Sequence, residues 1–143
     1  MPTLCDVNLL LALCYGRHIH HRAALDWLET CDVGDVVLCR MTQMSLMRLL
    51  CHRAVMGQDV CTLVQAWGVY DALLNDDRFT FCSEPDGIEL ALRRFTQAPI
   101  LSPNLWQDAY LAAFAVTSGH SLATLDRAFY QFNGLRVVLI RPA

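Results

Sequence analysis

The sequence predicts a parallel α/β fold with a central sheet of about five strands, on three observations. Short apolar or β-branched runs alternate with segments whose apolar residues recur at helical spacing. Two of those runs are followed almost at once by an aspartate. Hydrophobic residues make up 55% of the 143 residues, enough for a substantial core. That length suits one domain spanning 1–143, with no repeat, low-complexity tract or long linker in it.

Thr3-Leu4-Cys5-Asp6-Val7 reads as a short buried strand ending in an acid. Asn8 to Tyr15 follows as a helix, stopped by Gly16. A second helix starts near His21, with Ala23, Ala24, Trp27, Leu28 and Cys31 on one stripe. Val36-Val37-Leu38-Cys39 is the second strand. Thr42 is the expected N-cap of a third helix carrying Met44, Leu46, Met47, Leu49 and Leu50. Val60, Leu63, Val64, Trp67 and Leu74 mark a long helix. Phe79-Thr80-Phe81-Cys82 is the third strand, and Ile88, Ala91, Leu92 and Phe95 define another amphipathic helix. Ser102-Pro103 predicts a helix start, cap then first-turn proline; that helix runs to Ser118 and ends at Gly119. Ser121–Leu125 and Val137–Ile140 complete the strands. Strands alternating with helices imply right-handed crossovers and a sheet covered on both faces. In such folds the site lies beyond the carboxyl ends of the strands.

Every basic side chain is arginine, and there is no lysine. Walker-type phosphate binding, Schiff-base chemistry and pyridoxal chemistry need a lysine and are excluded. The net charge of −3 is unusual for a nucleic-acid binder. A divalent cation held by clustered acids would reverse the field locally. The seven cysteines form no C-x-x-C pair and sit among apolar neighbours, so they read as free thiols of a cytoplasmic protein. The opening residues have no basic segment ahead of an apolar one, so no signal peptide is expected. No apolar run approaches the roughly 18 residues of a membrane span.

Asp6 and Asp126 each follow a predicted strand, and Asp108 lies in an alanine-rich helix. Taken singly, Asp6 and Asp126 read as helix or turn caps, and Asp108 as a harmless surface acid. Together they say more. Three converging carboxylates repel pairwise by roughly 3 kcal/mol, taking about 5 Å and an effective dielectric near 20. A fold keeps such a cluster when a cation binds there. Ligands that are all oxygen favour Mg²⁺ or Mn²⁺. His18, His20 and His21 invite a metal reading too, but no acid or cysteine stands at a matching spacing, so packing or solvent exposure is expected. Arg93-Arg94 reads as a solvated helix face, and Trp27, Trp67 and Trp106 as helix–sheet packing.

Leu4-Cys5-Asp6-Val7-Asn8-Leu9-Leu10 resembles the opening of PIN domains, especially the VapC-like toxins of bacterial toxin–antitoxin pairs. His18-x-x-His21-x-x-Ala24-x-x-Trp27-Leu28 and the segment Thr42 to Leu50 are similar to one VapC branch. Asp108 to Ala115 and Leu122 to Phe129 are the most specific blocks; Gly134-Leu135 and Pro142 fit the closing segment. The resemblance spans nearly the whole chain, with a vague middle between about 55 and 100. It implies a Rossmann-like α/β/α sandwich and a Mg²⁺- or Mn²⁺-dependent endoribonuclease that cuts RNA by metal-activated water, leaving a 5′-phosphate and a 3′-hydroxyl. It further implies a cognate antitoxin as partner and a homodimer. Asp6, Asp108 and Asp126 are then the catalytic, metal-binding acids. Asn8, Ser45 and Thr124 are their neighbours, and Arg48 and Arg127 the RNA contacts. Two positions depart from the family pattern. Ser45 aligns with a glutamate of many PIN nucleases, and Ala128 with a further acid.

Leu9, Leu10, Leu13, Leu46, Met47, Leu49 and Leu50 are more apolar surface than one small core requires, so a helix-in-groove partner or a second copy is expected there. Receiver-like domains share the acid arrangement but need a lysine. Haloacid-dehalogenase-type phosphatases need an acid where Asn8 stands. The competing reading is an impaired PIN module that binds RNA or antitoxin without cleavage.

Overall fold

Three strands of the computed structural model are apolar on both faces, which is what places them inside. Leu4, Cys5, Val36, Val37, Leu38, Leu122 and Ala123 are all 0–1% exposed. The structure describes residues 2–141; Pro142 of the closing-segment match lies outside them, as do Met1 and Ala143 at the limits of the 1–143 span. The strands are β1 (Thr3–Cys5), β2 (Val36–Leu38), β3 (Phe79–Phe81), β4 (Ser121–Thr124) and β5 (Val137–Leu139). All neighbours pair parallel, in the order β3-β2-β1-β4-β5. Thr3 lies opposite Val36 on one side and Ser121 on the other.

The helices are α1 (Val7–Cys14), α2 (His21–Leu28), α3 (Arg40–Leu50), α4 (Arg53–Met56), α5 (Leu63–Asn75), α6 (Ile88–Phe95) and α7 (Leu105–Ser118). Alternation along the strands sorts them into layers. Cys5, Val36, Leu38 and Ala123 join a core with residues of α1, α2, α3 and α5. Leu4, Val37 and Leu122 join another with α6, α7, Phe129 and Phe132. The α/β/α sandwich is therefore the expected one. In α7, Ala109, Ala112, Ala113 and Ala115 are wholly buried, so small side chains set the contact with the sheet. The helix closes on Gly119 at φ 73°. Gly119 N–H donates to the Val116 carbonyl and His120 N–H to the Ala115 carbonyl, a Schellman ending.

Several starts differ from expectation. Helix α3 is capped by Cys39 rather than Thr42. Thr42 sits three residues inside, where its hydroxyl oxygen accepts the Cys39 N–H at 3.0 Å. It is a reciprocal capping box with threonine in the inner role. Helix α5 starts after Thr62, whose hydroxyl accepts the Gln65 N–H while Gln65 accepts the Thr62 N–H. Helix α7 starts at Leu105, past Ser102-Pro103, and the Ser102 carbonyl accepts the Leu105 N–H. Helix α4 and the 3₁₀ turn Gly57–Asp59 after it are additional, while the 3₁₀ turn Arg127–Gln131 is the expected short turn behind Asp126.

Most of the expected apolar surplus is not at the surface, Met47 and Leu49 being half-buried. Leu9, Leu10 and Leu46 are 0% exposed, and Leu13 and Leu50 are also buried. They fill the α1–α3 side of the core, because α1 packs directly against α3. Exposed apolar groups on this side of the sheet include Met44 on α3 and Leu63, Val64 and Trp67 on α5. All seven cysteines carry free thiols. Among the described residues no helix is long and apolar enough to cross a membrane.

Candidate active site

Strand order reverses between β1 and β4: from β1 the chain crosses to β2 and β3 on one side, from β4 to β5 on the other. A crevice opens where the two crossovers diverge, outside the carboxyl ends of those strands. Asp6 is the first residue after β1, and Asp126 the second after β4. Their positions follow from topology.

Each is held by backbone and by one shared side chain. Asp6 is the N-cap of α1, with Oδ1 accepting the Val7 N–H at 2.8 Å. Its Oδ2 accepts the Thr124 hydroxyl at 2.8 Å. The same Thr124 oxygen accepts the Asp126 N–H at 3.0 Å. Thr124 is completely buried, so one hydroxyl joins the two strand ends. Asp126 Oδ1 accepts the Ala128 N–H and caps the 3₁₀ turn. Thus both acids do cap, as the simpler reading expects, and both also keep lone pairs for another partner.

Asp108 reaches the same region from the first turn of α7. Its carboxyl is pushed up to about 6 by burial first, then by the charges of Asp6 and Asp126. Burial also raises Asp6; the hydrogen bonds from Thr124 and Val7 work against that, and Asp126 adds to it. The three carboxylates therefore share one electrostatic neighbourhood. They do not stand as a finished ligand set: among the described residues, no group of three or more His, Cys, Asp or Glu is placed to hold an ion. The donor chemistry, all oxygen with a repulsion that a cation relieves, fits Mg²⁺ or Mn²⁺.

The other expected site residues divide. Asn8 and Arg127 line a depression of about 580 Å³ with Asp126, Leu125, His18 and His20. Ser45 and Arg48 instead line a depression of about 810 Å³ between α3 and α5, with Met44, Met47 and Trp67. Ser45 also borders a third depression that reaches Tyr110 and Gln107 of α7. His18 and His20 beside Asp126 are what sequence reading missed. They precede α2 in an irregular segment, where no periodicity predicts a facing partner. His21 is used structurally, its Nδ1 pairing with the Ala12 carbonyl at 2.6 Å.

Asp108 gives a stability test. The folded chain binds this proton more tightly than the unfolded chain. The group's contribution therefore declines as pH rises from about 4 to about 6, and its cost is full at neutral pH. The shift corresponds to about 3 kcal/mol at most; half exposure screens it to about 1 kcal/mol. Asp108→Asn is expected to raise the melting temperature in EDTA at pH 7 and to leave it unchanged at pH 4. A destabilised variant at pH 7 would show that Asp108 is held by attraction.

Residues 3–135 match the PIN domain family. The chain is 45% identical over 142 residues to Ribonuclease VapC41 of Mycobacterium tuberculosis, covering 96% of this chain and 97% of the relative. It is 35% identical over 143 residues to Ribonuclease VapC29 of the same species, covering 98% and 97%. Among solved structures, a toxin-antitoxin complex from Klebsiella pneumoniae contains a chain that superimposes with a TM-score of 0.66 at 20% identity, over 99% of both chains.

Proposed function

Because the chain belongs to the PIN domain family, with VapC ribonucleases as its relatives, we propose that it is the endoribonuclease toxin of a toxin–antitoxin pair, using Mg²⁺ or Mn²⁺ held by Asp6, Asp108 and Asp126. The observation that carries this reading is Asp108, whose carboxyl is raised toward neutrality by burial and by the two other acids. An arrangement that costs stability on its own is accounted for by a cation that relieves it. The whole chain, 1–143, would then be one PIN domain.

When bound, the ion supplies Lewis acidity toward the phosphodiester and makes water a stronger nucleophile near neutral pH. The protein's part is placement. Asp6 cannot swing away, because its two oxygens are engaged by Val7 and Thr124. Asp126 is fixed through its own N–H and through the Ala128 N–H. Asp108, in the first turn of α7, would supply the third carboxylate, and the ion would relieve the repulsion it feels from Asp6 and Asp126. Arg127, next to Asp126, meets the phosphate. Asn8, exposed on the first turn of α1, orients a carboxylate or water. With Ser45 and Ala128 in place of further acids, the set has no more than these three carboxylates.

The partner of this reading is a cognate antitoxin. It would meet the exposed Met44, Leu63 and Trp67 along α3 and α5, with Arg48 at the edge. A homodimer through the same face is the alternative use of it.

The experiment is incubation of the purified chain with a panel of structured and unstructured RNAs in Mn²⁺, with the ends of the products mapped. Fragments carrying a 5′-phosphate and a 3′-hydroxyl are expected. RNA left intact across the panel overturns the enzymatic reading. It would favour the second one, a module that binds RNA or antitoxin without cutting, which the incomplete ligand spacing supports.

A further inference from the structure

His18 and His20 are bound up with each other and with the depression beside Asp126. His18 Nδ1 accepts the backbone N–H of His20 at 3.0 Å. That leaves the neutral imidazole its proton on Nε2, as a donor. An accepting Nδ1 is available only on the neutral ring, and burial, with His20 and His21 nearby, pushes His18 below the usual histidine range. The two rings lie 5.6 Å apart at 45°. His20 Nδ1 is buried and finds no hydrogen-bond partner among the described residues. That nitrogen is closed to solvent, so the ring meets a ligand in the depression only through Nε2, which has no partner among the described residues. Arg127 adds a cation to the same wall.

We propose that His18 and His20, with Arg127, form a hydrogen-bonding wall that seats the ribose–phosphate backbone of the RNA beside Asp126. This rests on the ribonuclease reading and adds positioning residues to it. The chemistry favours RNA over a peptide. The wall offers one fixed neutral donor, one guanidinium and one uncommitted ring nitrogen. A phosphate oxygen takes the first two. The ribose 2′-hydroxyl, both donor and acceptor, suits a ring nitrogen in either tautomer. With acids on the adjoining side, the donors must come from this wall.

The test uses the full chain carrying Asp108→Asn to prevent turnover, in Mn²⁺, with a short fluorescein-labelled single-stranded RNA of mixed sequence and its 2′-deoxy counterpart. His18→Phe and His20→Phe keep a ring without its nitrogens; each is expected to weaken RNA binding about three- to tenfold, the range of one net hydrogen bond. His18→Gln restores a neutral donor and binds within about twofold of the parent. His20→Phe is expected to lose the preference for RNA over the deoxy strand. Calorimetric Mn²⁺ affinity of His18→Phe and His20→Phe made with Asp108 intact stays at the wild-type value, which separates the wall from the acids. Phe variants that bind RNA as tightly as the parent overturn the proposal. So does equal weakening toward RNA and the deoxy strand together with a lower melting temperature, which marks a packing role. If the wild-type chain binds but never cleaves while the variants weaken as stated, the wall stands and the nuclease reading falls.

Discussion

Asp6→Asn and Asp126→Asn are each expected to reduce RNA cleavage by about a thousandfold or more, and EDTA to remove the wild-type activity altogether. The size follows from the role. Loss of one charged ligand forfeits several kcal/mol of cation binding and transition-state stabilisation, and about 4 kcal/mol is a thousandfold. The fold is expected to survive, for a structural reason. An asparagine at position 6 keeps an Oδ1 that accepts the Val7 N–H, and its amide can donate to the Thr124 hydroxyl. Removing a buried carboxylate whose pKa is already raised by burial costs the metal-free protein little. At position 126 the retained oxygen still accepts from Ala128. Single-turnover rates in Mn²⁺, with circular dichroism on the same samples, check this. Cleavage that survives chelation, or persists in both variants, removes the metal mechanism.

Thr124→Val is expected to cost about 2–4 kcal/mol without changing the volume of the side chain. The hydroxyl is completely buried and serves twice, as donor to Asp6 and as acceptor for the Asp126 N–H. Valine leaves a buried carboxylate oxygen and a backbone amide short of partners. Hydrogen bonds to charged groups contribute roughly 1.5–3 kcal/mol, and an orphaned amide adds about 1. Thr124→Ser keeps the oxygen and should stay within about 1 kcal/mol of wild type. Urea denaturation at neutral pH measures both. A valine variant less than about 0.5 kcal/mol below wild type would mean that water or rotation replaces the bridge, and that the two strand ends are not tied through this side chain.

The layers and the order of elements were legible because they depend on patterns the chain repeats. Val36, Val37 and Leu38 can only be a strand buried on both sides, and the alanines of α7 can only face something close. Asp6 and Asp126 were legible because strand ends point at the crevice. Helix starts were less so. Cys39 caps α3 although a thiol is a weak acceptor, and the hydroxyl of Thr42 takes the inner role. The leucines of α1 and α3 were misread as surplus because sequence does not reveal that these two helices pack on each other. His18 and His20 were hidden for another reason: their neighbourhood with Asp126 depends on how an irregular segment returns to the sheet, and nothing local to the segment encodes that.

The tight ending of α7 has a consequence for how this chain can vary. Only Gly119 and His120 separate the helix from β4, and the Schellman hydrogen bonds leave that joint no slack. The azimuth of Asp108 around its helix is thereby indexed to the strand that leads to Asp126. Each residue added or removed within α7 after Asp108 turns that carboxylate by about 100° and shifts it about 1.5 Å along the axis. Length changes are therefore tolerable ahead of Asp108, in the stretch around Ser102, and not behind it. The helix serves as a gauge block between two acids, and its register is inherited as a unit.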